Sequence, residues 1–176
     1  LTISNCHTIK GRLGGVNEKC VSQYSSGLIC AITMGKVDII GCSNSSTLSG
    51  MASSGIAYVM SGGKITIKEC QNYGEAIIEN ADIYIAAEKD ASDVGTAGCA
   101  IAVSQKGVEI KKCFNYATLN ETAGGDIAGL VVGSGVSVLD SSNYGILNYS
   151  GKNDVDIAGI YIDPDYGVDG ILCKAE

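Results

Sequence analysis

The sequence predicts an all-β fold, a right-handed parallel β-helix of about five coils, and three observations lead to this prediction. The composition favours strands and turns, because 24 of the 176 residues are Gly, 45% are hydrophobic, and Trp is absent. A phrase built on a cysteine and an asparagine recurs along the chain. A second phrase, built on a glycine, alternates with it. Together the two phrases define a sequence repeat, which is typical of repeat architectures such as solenoids.

The cysteine–asparagine phrase indicates a strand followed by a turn. Val108 and Ile110 alternate with polar residues before Cys113, and Asn115 follows where the chain must turn. In the last copy Ser141 takes the cysteine position. The copies are VDIIGCSNSSTL from Val37, ITIKECQNYGEA from Ile65, VEIKKCFNYATL from Val108 and VSVLDSSNYGIL from Val136.

The glycine phrase indicates a second strand, because Ile101 and Val103 also alternate with other residues. In the first three copies the next cysteine follows 15 residues after the glycine, whereas the distance from cysteine to the next glycine varies. One arm of the repeat is therefore fixed and the other accepts insertions. The longest insertion is 78–96, which we expect to be a loop and a candidate recognition surface. The glycines are Gly27, Gly55, Gly98, Gly129 and Gly159.

The repeat favours stacked coils over hairpins. Its shortest period is 28 residues, as between Cys42 and Cys70. An antiparallel sandwich would explain the alternation but not the return of the same residue at the same place. Coils stacked about 4.8 Å apart place equivalent residues in columns, and parallel crossovers are nearly always right-handed. We expect one domain over residues 1–176, cut from a longer repeat protein because both ends fall within apparent repeats.

The eight cysteines are expected to be packing residues. They form no C-x-x-C pair, and His7 is the single histidine, which argues against zinc and against thiol catalysis. Disulfides between neighbouring coils are the alternative, but Ser141 in a cysteine position favours small buried side chains with free, unreactive thiols. The expected column is Cys6, Cys42, Cys70, Cys113 and Cys173.

The asparagines and tyrosines that follow are expected to form two further columns. Turn asparagines tolerate left-handed backbone angles and bond locally, and stacked amides also bond along a column. A tyrosine column would either cover the corner of the coil or present an aromatic strip to a sugar or a partner protein. The asparagines are Asn44, Asn72, Asn115 and Asn143, and the candidate ligand-binding residues are Tyr73, Tyr116 and Tyr144.

Glycosylation sequons begin at Asn44, Asn120 and Asn148. An inward Asn44 would be inaccessible to modification.

Two groups of carboxylates are the remaining candidate site residues. Asp126 and Asp156 begin matching DIAG phrases and should stack on adjacent coils, as a solvated edge or as an acid–base pair. Asp163, Asp165 and Asp169 lie in DPDYGVDG, an oxygen-rich stretch that would suit calcium although it lacks EF-hand spacing. The sequence assigns no catalytic residue, and calcium is the one cofactor it suggests.

The charge argues against nucleic acid and anionic membrane partners. Residues 1–88 carry six Lys or Arg against seven Asp or Glu, and residues 89–176 carry six against twelve. Such an acidic chain is a poor ligand for phosphates. No apolar run approaches the length of a membrane span, so we expect no membrane insertion.

The coil pattern resembles the GLUG-type and related degenerate repeats of bacterial cell-surface and secreted proteins, which are often adhesin-like. The glycine pair of those repeats is mostly Ala-Gly or Ser-Gly here, and the Gly after Asn is kept as Gly74 and Gly145. The resemblance implies an extracellular or cell-surface setting in bacteria. We expect a non-catalytic binding or adhesion module for glycans or a partner protein. The alternatives are a fragment of a carbohydrate-active β-helix enzyme, such as a polysaccharide lyase or glycosidase, and a structural stalk.

Overall fold

The computed structural model describes residues 1–14, 24–50, 52–77, 95–122, 125–151 and 155–162, and the backbone of 16–17 and 20–21. Over these residues the chain is all-β, without helices, and forms a parallel β-helix of about five coils, which confirms the predicted fold class. Strands follow one another around each coil in five parallel sheets, called sheets 1 to 5. Right-handed winding stays a prediction from the chirality of parallel crossovers.

The strands of sheets 1 and 2 come from the cysteine–asparagine phrase. Sheet 1 contains β1 (Thr2–Ser4), β7 (Val37–Ile40), β12 (Ile65–Lys68), β17 (Val108–Lys111) and β22 (Val136–Leu139). Sheet 2 contains β8 (Ser43–Asn44), β13 (Gln71–Asn72), β18 (Phe114–Asn115) and β23 (Ser142–Asn143). In the first coil His7 makes an isolated parallel bridge to Ser43 in place of a strand.

Sheet 3 closes the turn after the asparagine, and sheets 4 and 5 come from the glycine phrase. Sheet 3 contains β2 (Arg12–Gly14), β9 (Thr47–Ser49), β14 (Ala76–Ile77), β19 (Leu119–Glu121) and β24 (Leu147–Tyr149). Sheet 4 contains β5 (Tyr24–Ser26), β10 (Ala52–Ser54), β15 (Gly95–Ala97), β20 (Asp126–Ala128) and β25 (Ile157–Ala158). Sheet 5 contains β6 (Ile29–Thr33), β11 (Ala57–Ser61), β16 (Ala100–Ser104), β21 (Val131–Gly133) and β26 (Tyr161–Ile162).

The coils stack in the register that the repeat predicts. Gln71 pairs with Ser43 in the coil before and with Phe114 in the coil after, so Cys70 lies between Cys42 and Cys113. The same register aligns the asparagines of sheet 2 directly. The predicted columns therefore exist wherever the chain is described.

The main core lies between sheet 1 and sheet 5. Val108 and Ile110 point inward from sheet 1 and are at most 2% exposed, as predicted. In sheet 5, however, Ala100 and Ala102 point inward, whereas Val103 is 42% exposed. Alternation identifies a strand but not its buried face. The bulky side chains of sheet 1 meet small ones from sheet 5 across a narrow interior.

None of the four asparagines of the column has the left-handed backbone angles that a turn asparagine tolerates. Positive φ angles occur one residue before the cysteine position instead, at 52° for Lys112 and 55° for Glu69. The asparagine is held in a two-residue strand by bonds from its own side chain, and the chain bends before it. The residues in this position are Asn5, Gly41, Glu69, Lys112 and Asp140.

The glycine of the second phrase is required by close approach to the next coil and across its own coil. A Cβ atom built on Gly98 would lie 2.0 Å from the carbonyl oxygen of Gly129 and 2.6 Å from Cγ of Asn115. One built on Gly55 would lie 2.0 Å from the carbonyl oxygen of Gly98 and 2.4 Å from Cγ of Asn72. Contacts below 3.0 Å are essentially never seen for real Cβ atoms. The glycine column therefore packs directly against the asparagine column, and any side chain there would displace the amides.

The variable arm of the repeat is the connection from sheet 3 to sheet 4. Only Gly50 and Met51 separate β9 from β10, whereas residues 15–23 and 78–94 separate the corresponding strands of coils 1 and 3. The first of these includes an antiparallel hairpin of β3 (Val16–Asn17) and β4 (Cys20–Val21). Gly95 and Thr96, placed in the insertion from sequence, belong to β15.

Candidate functional site

The asparagine column is a continuous buried hydrogen-bond ladder. Asn115 Nδ2 donates to Asn143 Oδ1 at 2.8 Å and to the Ala117 carbonyl at 3.1 Å. Its Oδ1 accepts from Asn72 Nδ2 at 2.9 Å and from the Ala117 amide at 3.2 Å. Asn72 repeats this pattern, and all four bonds lie away from solvent. The ladder is therefore structural, and at Asn72 and Asn115 it uses the whole bonding capacity of the side-chain amide.

The cysteine column is also structural. Cys42, Cys70 and Cys113 are at most 1% exposed, and their thiols are free. The neighbouring Cys113 thiol and burial raise the pKa of Cys70 well above its usual range. Such thiols stay protonated at neutral pH and are poor nucleophiles. Cys6, in the first coil, is exposed, and Cys173 lies outside the described residues.

The tyrosine column forms an aromatic ladder on the outer surface, defined by Tyr73, Tyr116 and Tyr144. The rings of Tyr73 and Tyr116 stack with centroids 5.1 Å apart and planes inclined by 7°. Those of Tyr116 and Tyr144 stack at 5.3 Å and 13°. The Phe114 ring adjoins the ladder, with its centroid 6.4 Å from those of both Tyr116 and Tyr144. The structure therefore brings together all three predicted tyrosines and adds a phenylalanine.

The aromatic ladder is exposed although its members are large. Tyr73, Tyr116 and Tyr144 are 50%, 45% and 64% exposed, so about half of each side chain remains in contact with water. The rings pack against one another on neighbouring coils and also form an open surface, which are the geometries that the two interpretations of the sequence require. Binding of a ligand to this surface stays a prediction. The faces between neighbouring rings are covered, so ring edges and hydroxyl groups make up much of the surface.

The predicted carboxylate pair is formed, but its geometry suits a structural role. Asp126 and Asp156 occupy the same position on adjacent coils, and Asp126 Oδ1 accepts a 3.1 Å hydrogen bond from the Asp156 backbone amide. Burial raises the pKa of Asp126, and the hydrogen bond from Asp156 partly opposes the shift. In the described part of the chain, neither carboxylate forms an ion pair. The pair lacks the cationic partner that acid–base chemistry on a sugar normally uses.

The predicted calcium-binding residues and most of the insertion lie in parts of the chain that the structure does not describe. Asp163, Asp165 and Asp169 lie outside the described residues, as does most of the insertion, residues 78–94. Within the described ranges no group of three or more His, Cys, Asp or Glu side chains could hold a metal ion.

The three sequons differ in exposure. Asn44 is fully buried in the ladder, as expected. Asn148, by contrast, lies exposed on sheet 3 and donates to Asn120 at 2.9 Å.

The sequence reasoning missed two surface features. Tyr24 and Tyr58 form a second aromatic contact, at 4.4 Å between sheets 4 and 5. The two tyrosines stand 34 positions apart in different phrases, so only the coil register could have paired them. The other feature is a lysine cluster on sheet 1, which lies next to the aromatic ladder.

Comparison of the chain with protein-family models, curated proteins and solved structures found no match. Over the residues that the structure describes, no helix is long and apolar enough to cross a membrane.

Proposed function

We propose that this β-helix is a non-catalytic binding or adhesion module whose contact surface is the aromatic ladder. The observation that carries the proposal is the exposure of three tyrosines aligned on consecutive coils. Exposed aromatic residues clustered on a rigid surface are typical of sites that bind sugars or proteins. A bacterial cell-surface or secreted location, as the repeat resemblance implies, fits such a role.

The rigidity of the site supports binding over chemistry. Each tyrosine directly follows an asparagine of the buried ladder, so the backbone beneath it is fixed by four amide hydrogen bonds in the case of Tyr116. A preorganised aromatic surface loses little conformational entropy when a ligand binds.

The test replaces the aromatic ladder without disturbing the coil. Ser45 occupies the ladder position in the second coil, so serine is a residue that this backbone position already accepts. The triple variant Tyr73→Ser/Tyr116→Ser/Tyr144→Ser should lose binding on a glycan array and to candidate protein ligands. Tyr24→Ser is the matched control, because Tyr24 is a comparably exposed tyrosine on another sheet and its ring also contacts a second tyrosine ring.

The outcomes separate the classes of function. Binding that survives in the triple variant would refute the proposal. Release of products from a polysaccharide, abolished by Asp126→Asn, would favour the enzyme alternative instead. Failure of the intact protein to bind any glycan or protein would favour a structural stalk.

A further inference from the structure

We propose that the ligand of the aromatic ladder is an acidic polysaccharide, held by lysines at the adjoining end of sheet 1. This inference rests on the proposed function and specifies its ligand class. The lysine patch consists of Lys68, Lys111 and Lys112. Lys68 and Lys111 are register partners on neighbouring coils, and Lys112 follows at the corner between sheets 1 and 2.

The lysine patch and the aromatic ladder form one surface. Along the fourth coil the side chains that face outward are Lys111, Lys112, Phe114 and Tyr116, with Cys113 and Asn115 buried between them. Lys111 and Tyr116 are five positions apart in the chain, so their backbones are at most about 18 Å apart. An extended polymer lying across the coils would contact both groups.

The net negative charge of the whole chain does not apply to the surface that carries the lysine patch and the aromatic ladder. The described residues carry as many basic as acidic side chains, so the net charge of −7 belongs to residues outside the described ranges. The basic ones are Lys10, Arg12, Lys36, Lys64, Lys68, Lys106, Lys111 and Lys112. The acidic ones are Asp38, Glu69, Glu75, Glu109, Glu121, Asp126, Asp140 and Asp156. Most of the basic ones lie on sheet 1 or on the turns that lead into it.

Two lysines of the patch have no carboxylate partner in the described part of the chain. Lys64 pairs with Glu109 at 2.5 Å, and Lys68 reaches the other oxygen of Glu109 at 3.7 Å. Over the described residues no carboxylate lies within ion-pairing distance of Lys111 or Lys112, although Glu69 and Asp140 hold the position of Lys112 on the two neighbouring coils. Like charges stacked on adjacent coils reduce stability, and Glu109 lies close enough to Lys68 to offset part of that cost. Lys111 and Lys112 are therefore the lysines of the patch that are available to a ligand.

The orientation of the tyrosines also favours an anionic ligand. Aromatic rings carry negative charge on their faces and positive charge at their edges. In the ladder the faces between neighbouring rings are stacked against one another, which leaves the positive edges accessible. The Tyr73 hydroxyl donates to Gln71 Oε1 at 2.6 Å, so the hydroxyl donors offered to a ligand are those of Tyr116 and Tyr144. A neutral sugar that stacks on ring faces would find the faces between the rings already covered, whereas carboxylate or sulfate groups match both the edges and the lysines.

The experiment measures binding of polygalacturonate, a carboxylated polysaccharide, and of neutral dextran by biolayer interferometry. We expect polygalacturonate to bind and dextran not to bind, with affinity that falls as salt rises. Lys111→Gln/Lys112→Gln should weaken binding about tenfold, since two charge contacts of about 0.7 kcal/mol each are lost. Lys36→Gln/Lys106→Gln removes the same charge from the other end of sheet 1 and should change affinity less than about twofold.

The results would overturn the inference in three ways. Equal weakening by both lysine pairs would show that only net charge matters. Equal binding of duplex DNA would show unspecific attraction to polyanions. Tyrosine-dependent binding of a neutral glycan or a protein, without binding of polygalacturonate, would refute the acidic ligand and leave the proposed function intact. Polygalacturonate binding that is unaffected in the tyrosine triple variant would instead refute the proposed function.

Discussion

Replacing Asn115 by alanine should strongly destabilise the β-helix. Asn115 is fully buried, and its side chain makes four hydrogen bonds, two within its coil and one to each neighbouring coil. A typical net contribution is about 1 kcal/mol per bond, and buried groups left without partners cost more. We therefore expect Asn115→Ala to lower the free energy of unfolding by about 4 kcal/mol. For a chain of this size the melting temperature should fall by about 8–16 °C.

The end of the ladder provides an internal comparison. Asn143 makes two bonds within its coil and one to Asn115, and it is only partly buried. Asn143→Ala should cost about 2 kcal/mol, roughly half as much. Both values come from urea unfolding followed by circular dichroism and by tyrosine fluorescence. Coincident transitions are needed because solenoids can unfold coil by coil.

Two results would refute this reasoning. A loss below about 1.5 kcal/mol for Asn115→Ala would mean that the amides do not hold the coils together. Equal losses for both variants would mean that the second bond between coils and the deeper burial of Asn115 add nothing to stability.

Three further predictions concern other buried groups. Ser54 Oγ is buried and has no hydrogen-bond partner among the described residues, and Ala97 fills the same position in the next coil. Ser54→Ala should therefore raise the free energy of unfolding by about 1 kcal/mol, measured by urea unfolding. The control Ser26→Ala loses a 2.8 Å hydrogen bond to a carbonyl and should lower the free energy of unfolding. Because burial raises the pKa of Asp126, this group stabilises the fold below its unfolded pKa and ceases to do so as pH rises through its folded pKa. The melting temperature of Asp126→Asn, measured relative to wild type, should therefore increase from about pH 3 to about pH 7. A difference in melting temperature that does not change with pH would contradict the raised pKa. Iodoacetamide should label the exposed thiols of the native protein quickly and the buried thiols only after unfolding, as peptide mapping would show. Fast labelling of a buried thiol in the native protein would contradict the buried cysteine column. The exposed thiols are Cys6 and Cys30, and the buried thiols are Cys42, Cys70, Cys99 and Cys113.

The coil columns could be predicted because the repeat keeps the same residue types in register. The arm of 15 residues from Gly98 to Cys113 leads to a contact across the coil, where Gly98 packs against Asn115. Gly129 packs against Asn143 in the same way although this pair is 14 positions apart instead of 17. The structure therefore shows that the contact is kept from coil to coil even where the arm shortens, which the spacing alone did not reveal.

Other features left no signal in the sequence. The left-handed position holds Asn, Gly, Glu, Lys or Asp in different coils, so no residue type marks it. The inward face of sheet 5 could not be chosen, because Ala100 and Ile101 are both apolar and burial depends on the width of the coil. The lysine patch is assembled from residues 43 positions apart, Lys68 and Lys111, which only the register aligns.

The amide ladder also gives the β-helix a polarity. Thr8 Oγ1 donates to Asn44 Oδ1, and each later asparagine donates in turn to the next coil, so every bond between rungs points the same way. Hydroxyl and amide dipoles aligned head to tail reinforce one another. At the fifth coil Asn143 Nδ2 donates one hydrogen to the Gly145 carbonyl, and the described residues provide no acceptor for the other. A strand that stacks on this end must therefore bring a hydrogen-bond acceptor to that position, and a lysine or arginine there could not continue the ladder.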